Sequence, residues 1–161
     1  MTIHRTTRIA LLTALSLILF ILEGFLPLPL PVPGAKLGLA AIVTLIALDT
    51  MSTRDAALML TLRIVLASAF GGGLAPMLYS LAGGAASFAA MALLKRCTHF
   101  SIVGISAAGG FLHNMAQLLV AAAVLETTAV FVYAPVLGIV GILTGILIGI
   151  AAQIILQKIS G

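Results

Sequence analysis

Four polar side chains lie in otherwise apolar stretches of the sequence, and their types suit them to ligand binding. Arg63 follows Arg54 by about nine residues, which on a helix places it roughly 13 Å further along the axis. His113, Asn114 and Gln117 lie together in another apolar stretch, and the i, i+4 spacing puts the first and last on one helix face. A cation, an imidazole and two amides predict a site for a small anionic or strongly polarised molecule.

Each of these side chains also has a structural alternative. Arg63 either supplies a counter-charge for an anionic ligand or binds a backbone carbonyl or an acid of the protein, and ionisable groups inside a membrane usually mark function. Hydrogen bonding between helices would account for one member of the His113 to Gln117 group, whereas three together suggest a lined cavity. No metal site is predicted, because His4, His99 and Cys97 belong to the opposite, charged ends of the segments.

The composition identifies the environment in which these residues must be positioned. Of 161 residues, 62% are hydrophobic and only 7% are charged. A soluble domain has about a quarter charged residues, so this chain cannot cover itself with polar surface. The net charge of +4 reflects scarce charges rather than a basic face, which argues against binding nucleic acid. We therefore predict an integral membrane protein that folds as one transmembrane domain over residues 1–161.

Charges and Pro or Gly clusters divide the chain into six apolar segments, because a membrane span keeps its backbone bonded internally and its charges out of lipid. They predict an all-α bundle of about six transmembrane helices. The predicted spans are 8–26, 36–48, 56–70, 76–94, 100–125 and 133–156. Glycines at four-residue spacing in the sixth span indicate close packing against another helix.

The distribution of Lys and Arg predicts the orientation of the bundle. With both termini in the cytoplasm, Lys36 is the basic residue that falls in an outer loop, and Arg63 lies within a span. This arrangement satisfies the positive-inside rule. The basic residues then on the inner side are Arg5, Arg8, Arg54, Lys95, Arg96 and Lys158.

On the predicted outer side, a proline-rich loop over residues 27–34 joins the first two spans. Its prolines exclude a helix and make it a stiff cover for the bundle. Glu23 and Lys36 flank this loop and either pair across it or face a ligand from above. Tyr79, near the outer end of the fourth span, is either an anchor at the membrane interface or a further ligand contact.

Two features indicate that the chain has a partner. Ala10 and Ala14, four residues apart in the first span, make a smooth helix face suited to another membrane helix. The glycine pairs at Gly71 and Gly83 lack the Lys-Ser/Thr of a phosphate-binding loop, so any dependence on ATP must come from another subunit.

Four segments carry a family resemblance: PGAKLGLA at 33–40, LRIVLASAFGG at 62–72, SLAGGAAS at 80–87 and GISAAGGFLHNMAQL at 104–118. Taken together, they resemble the Gx transporter family, which carries the older label heptaprenyl diphosphate synthase component I. That family is grouped with the substrate-binding S components of energy-coupling factor (ECF) transporters. The resemblance implies an S-component-like fold, a vitamin-like or precursor ligand in an outward cavity, and docking to a coupling membrane protein that carries two ATPase subunits. In S components the first helix contacts the coupling protein through Ala-x-x-x-Ala, which Ala10 and Ala14 match.

We therefore expect a substrate-binding subunit in a bacterial cytoplasmic membrane, with no cofactor of its own. The older label offers an alternative, a membrane component linked to polyprenyl diphosphate or quinone synthesis. Synthases of the familiar helical type hold Mg²⁺ on aspartate-rich motifs, because this cation requires oxygen ligands. The chain has four acids, which are too scattered for such a site, so no enzyme activity is expected.

Overall fold

A computed structural model describes residues 3–25, 38–72, 74–97 and 99–160 of the chain. These residues form six α-helices, a π-helical turn and a 3₁₀ segment, and no strand is found among them. The predicted all-α membrane bundle is confirmed. The helices are α1 (Ile3–Gly24), α2 (Leu39–Thr50), α3 (Thr53–Ala67), α4 (Leu74–Lys95), α5 (Ile102–Val124) and α6 (Ala134–Ser160).

The helices differ in length. Within the described ranges, the helical segments Ile3–Gly24, Pro76–Lys95, Ile102–Val124 and Thr128–Ile159 are long and apolar enough to cross a membrane. The 12 residues of α2 extend about 18 Å, well short of the roughly 30 Å of hydrocarbon in a bilayer. Helix α3 is also short, with 15 residues, and continues into the π-helical turn Ser68–Gly72.

Each predicted span coincides with one helix, but several ends differ by a few residues. Helix α1 already includes Ile3, whereas the predicted span began at residue 8, and α6 runs on to Ser160. The physical reason is that a charged residue limits the apolar stretch that lipid can accommodate. The same residue does not interrupt the backbone hydrogen bonds of the helix. Arg and Lys are good helix formers, so the helices continue past the apolar segment.

Helix α2 lies at the centre of the bundle. It is apolar on every side, which is the pattern of a helix buried all round. Its buried residues are Ala40, Val43, Thr44, Leu45, Ala47 and Leu48. It packs against α1, α3 and α6. The hydrophobic core to which it belongs also includes Ile9, Met59, Met91, Ile105 and Ile148 from the other five helices.

Helices α5 and α6 pack with their backbones in direct contact. A Cβ atom added to Gly110 would lie 2.1 Å from the carbonyl oxygen of Gly141, and one on Gly145 would lie 2.5 Å from that of Ser106. The pairing of residue 110 with 141 and of 106 with 145 makes the two helices antiparallel. The close approach that the glycine spacing predicts is present.

One end of the bundle, called the charged end below, is held by two polar links. Arg5 Nε donates to both carboxylate oxygens of Asp55 at 2.9 Å, which joins the starts of α1 and α3. Lys95 Nζ donates to the Leu48 carbonyl at 2.7 Å and pairs with Asp49 at 3.1 Å, which joins the ends of α4 and α2. The hydrogen bond from Arg5 lowers the pKa of Asp55 below its ordinary value, so this carboxylate stays ionised.

Candidate functional site

Arg63 is turned into the bundle from the last part of α3. Only 9% of the residue is exposed, and its Nε atom has no hydrogen-bond partner among the described residues. The guanidinium carbon lies 5.7 Å from the centroid of the Phe20 ring on α1, within the range of a cation–π contact. Phe20 therefore covers the cation without satisfying its hydrogen-bonding capacity, which leaves a buried donor available to a ligand.

Glu23 lies one turn beyond Phe20 on α1 and is 3% exposed. Its carboxylate accepts hydrogen bonds from the backbone N–H groups of Gly38 at 2.5 Å and Leu39 at 3.1 Å. Gly38 has a left-handed φ of 81° and supplies no side-chain cap to α2. A carboxylate at a helix N-terminus satisfies open N–H groups and complements the helix dipole, so Glu23 fixes where α2 begins.

The charges of Glu23 and Arg63 interact across the interior. The carboxylate attracts the guanidinium electrostatically, although the two residues are not in ion-pair contact in the described part of the chain. Arg63 in turn acts electrostatically on His113 of α5. These residues from α1, α3 and α5 therefore share one electrostatic environment.

His113 and Gln117 pack together against Gly83 of α4. A Cβ atom on Gly83 would lie 2.8 Å from His113 Cε1 and 2.9 Å from Gln117 Cγ. The absence of a side chain at this position makes room for both, and they share one face of α5 as their spacing indicates. We refer to Arg63, His113 and Gln117, with Phe20 and Glu23, as the interior site.

Asn114 has a different role. Its Nδ2 atom donates to the Leu137 carbonyl of α6 at 2.8 Å, so the side chain leaves the face that carries His113. This is the interhelical hydrogen bond that the sequence left open as an alternative. The group of three polar residues on α5 therefore divides between the α4 side and the α6 side.

The interior site lies near the middle of the bundle. Gly83 and His113 are each about twelve residues, or about 18 Å, from the charged end of their helices, and Arg63 is about ten residues, or about 15 Å, from the start of α3. Glu23 lies further from the charged end, in the last turn of α1. Beside Phe20, a crevice of about 20 Å³ runs between α1, α3 and α4 and is lined in part by Ile64 and Ser68. This volume holds about one water molecule, and Phe20 is the member of the interior site that lines it.

Tyr79 is a further predicted ligand contact within the described residues. Tyr79 is half-buried on α4, one turn before Gly83 and on the same helix face. Lys36 and the predicted proline loop at 27–34 lie outside the described residues. A pairing of Glu23 with Lys36 therefore stays a prediction.

Helix α1 presents two distinct faces. Thr13, Ser16 and Glu23 are buried, and Ser16 donates to the Ala40 carbonyl of α2 at 3.2 Å. Ala10 and Ala14 are exposed on another face of the helix. The predicted docking alanines are thus accessible to a second membrane protein. Large apolar side chains accompany them on this face, including Leu11, Leu15 and Ile18.

The sequence analysis did not single out Phe20 or Gly83. A signal for Phe20 is present, because Ser16, Phe20 and Glu23 follow one another at four and three residues and so fall on one face of α1. A buried polar face on a membrane helix points towards other protein groups rather than lipid. Gly83 carries no comparable signal, since its importance depends on which residues of α5 it meets.

A family model described as heptaprenyl diphosphate synthase component I matches residues 12–155. The match covers most of the chain and confirms the family resemblance under its older label. No curated protein matches the chain. No solved structure matches it either.

Proposed function

The chain belongs to the heptaprenyl diphosphate synthase component I family, and we propose that it is the substrate-binding membrane subunit of an ECF-type transporter. In this role it captures a small anionic, vitamin-like or precursor molecule in a bacterial cytoplasmic membrane. A coupling membrane protein and two ATPase subunits then drive transport. The chain itself supplies binding rather than chemistry.

The observation that carries this proposal is the buried Arg63 Nε, which has no hydrogen-bond partner in the part of the chain that the structure describes. A buried guanidinium without a full set of acceptors is costly, and an anionic oxygen from a ligand would remove that cost. His113 and Gln117 add neutral hydrogen-bonding groups, which orient a ligand without adding charge. Glu23 already uses its carboxylate on α2, so it leaves Arg63 available.

We propose that a ligand reaches Arg63 by parting the helices at the crevice beside Phe20, which as it stands holds about one water molecule. The crevice lies between α1 and the α3–α4 pair, which makes this boundary the entry path we propose. A ligand that binds Arg63 there replaces the stabilisation that the Phe20 ring gives the guanidinium in the closed form. The expected cycle therefore alternates between a closed empty form and an opened loaded form.

The exposed face of α1 supports the proposed partner. Ala10 and Ala14 allow a second helix to approach closely, and the adjacent large apolar residues give it a surface to pack on. This face is separate from the buried face that carries Glu23. Docking and ligand binding therefore use opposite sides of the same helix.

A non-catalytic role is supported by the positions of the acids. Glu23 caps α2, Asp49 pairs with Lys95, and Asp55 pairs with Arg5. These carboxylates lie at separate places with partners of their own. They are not arranged to hold Mg²⁺ on a diphosphate.

Native mass spectrometry of the gently purified protein tests ligand capture. We expect a retained small molecule, and Arg63→Gln should reduce its occupancy about ten- to hundredfold, the loss expected when a charged hydrogen bond is removed. Arg54→Gln is the matched control, because Arg54 is exposed at the start of the same helix. Unchanged occupancy per folded Arg63→Gln molecule, combined with a lower melting temperature, would show a purely structural arginine.

Co-purification with the coupling protein tests the partner. Replacement of Ala10 and Ala14 by Phe should weaken the complex while ligand retention is preserved. Ala85 and Ala89 of α4 have the same spacing and are also exposed, so their double replacement by Phe is the control. Equal loss of partner from both double variants would remove the proposed contact.

The family description favours one second candidate, a non-catalytic membrane component of polyprenyl diphosphate synthesis. An isoprenoid diphosphate would also place an anionic group at Arg63. The two functions differ in the mass retained by the purified protein and in the proteins that co-purify with it. A retained isoprenoid diphosphate together with a soluble synthase would support this candidate over transport.

A further inference from the structure

An open cleft of about 320 Å³ lies at the charged end, remote from the interior site. It is formed by the first turns of α1, the turn between α2 and α3, and the start of α3. Its volume falls at the lower end of the roughly 300–1,000 Å³ typical of small-molecule sites. The lining residues are His4, Arg5, Arg8, Met51, Ser52 and Asp55.

The charges in this cleft are not balanced. Arg5 neutralises Asp55 by donating to both of its oxygens, so this acid does not oppose an incoming anion. Arg8 is exposed and forms no ion pair with any residue in the described ranges. With His4 neutral, the lining residues carry a net formal charge of +1.

Ser52 adds a hydroxyl group to the lining of the cleft. The Ser52 oxygen accepts from the Asp55 backbone N–H at 3.2 Å, which caps α3. An oxygen occupied as an acceptor still has its own O–H to donate. Ser52 and Arg8 both line the cleft. The planar fork of a guanidinium matches the geometry of phosphate oxygens.

We infer that this cleft binds the phosphate group of an anionic phospholipid. Arg8 supplies the charge and paired donors, Ser52 supplies the hydroxyl donor, and His4 provides a further imidazole donor. In the predicted orientation the charged end lies at the level of the cytoplasmic headgroups, where anionic lipids attract basic residues. Met51 gives the cleft an apolar contact for the glycerol region of the lipid. This inference does not depend on what the interior site binds.

The full-length protein in mild detergent, supplied with phosphatidylglycerol or phosphatidylcholine, provides the test by native mass spectrometry. We expect phosphatidylglycerol to be retained in preference, and Arg8→Gln to weaken that retention roughly fivefold. Arg54→Gln removes the same charge from an exposed position that does not line the cleft, and it should leave retention unchanged. Equal losses in the two variants, or no loss in Arg8→Gln, would overturn the inference.

Two further arms distinguish other occupants. Millimolar inorganic phosphate should not displace the retained lipid, and displacement would identify a soluble phosphate as the ligand and overturn the lipid assignment. His4→Gln, with helix content checked by circular dichroism, gives a second variant if Arg8→Gln folds poorly, and it should also weaken retention. If chemical labelling of the cleft residues is blocked only when a coupling protein is present, the cleft is assigned to a protein interface instead.

Discussion

The contact between α5 and α6 provides a sharp test of the packing, through substitution of Gly110 by Ala. The added Cβ would lie 2.1 Å from the carbonyl oxygen of Gly141. This obstacle is backbone and cannot rotate away, so the two helices must move apart by about 1 Å to restore ordinary contact. A gap of this size forfeits up to about half of the dispersion energy between the facing atoms.

Overpacking of this kind costs about 1–3 kcal/mol, partly offset by up to about 1 kcal/mol from the better helix propensity of Ala. Gly104 of the same helix is the matched control, because a Cβ there would meet only the Ser101 hydroxyl at 3.5 Å. Gly104→Ala should be neutral or stabilising. A net loss of about 2 kcal/mol for Gly110→Ala corresponds to a melting temperature about 4–8 °C lower.

Thermal unfolding in a mild detergent, followed by far-UV circular dichroism, measures both variants under the same conditions. The expected order of melting temperatures is Gly104→Ala at or above the wild type and Gly110→Ala below it. If the two variants melt together, the backbones of α5 and α6 do not approach each other as described.

Three further substitutions test the polar contacts. Glu23→Gln should lower the free energy of unfolding by about 1–3 kcal/mol, because a buried carboxylate that accepts hydrogen bonds from two backbone N–H groups loses its charge. Thermal unfolding measures this change, and an equal loss for Glu126→Gln, at an exposed position, would contradict the prediction. Asn114→Leu removes the hydrogen bond to the Leu137 carbonyl and should lower the free energy of unfolding in denaturant by about 0.5–1.5 kcal/mol without reducing ligand retention. A loss of ligand retention would show that Asn114 contacts the ligand. Because Arg5 lowers the pKa of Asp55, the stabilisation from this pair is present above the ordinary aspartate pKa of about 4 and is lost as pH falls through the lower folded value. The melting temperature of Arg5→Gln should therefore fall less steeply with acid than that of the wild type, and parallel curves would refute the link.

The number and approximate positions of the helices could be predicted from the sequence, since charges and Pro or Gly clusters interrupt apolar segments wherever the chain leaves lipid. Their ends were less predictable, as α1 shows by running back through Arg8 and Arg5 to Ile3. The exclusion of charge from lipid limits a span, whereas backbone hydrogen bonding limits a helix. The two limits coincide only where a helix breaker and a charge occur together.

The interior site was predictable in part. The inward direction of Arg63 follows from the cost of a cation in lipid, and the shared face of His113 and Gln117 follows from helical periodicity. The role of Glu23 could not be predicted, because it depends on where the first residue of α2 lies in three dimensions. Asn114 differs from His113 by one position, which rotates it about 100° around the helix axis and brings it to another neighbour. The ligand, the coupling partner and the membrane orientation stay predictions.

The shortness of α2 and the charge within α3 also bear on how the protein enters the membrane during synthesis. A helix of 12 residues is too short to partition into the bilayer by itself, and the arginine in the last part of α3 disfavours insertion by up to about 2.5–3.5 kcal/mol. Helix α1 has the length and hydropathy to insert alone, and it already carries the Phe20 ring and the Glu23 carboxylate. We therefore expect α1 to insert first and α2 and α3 to enter the bilayer together against it.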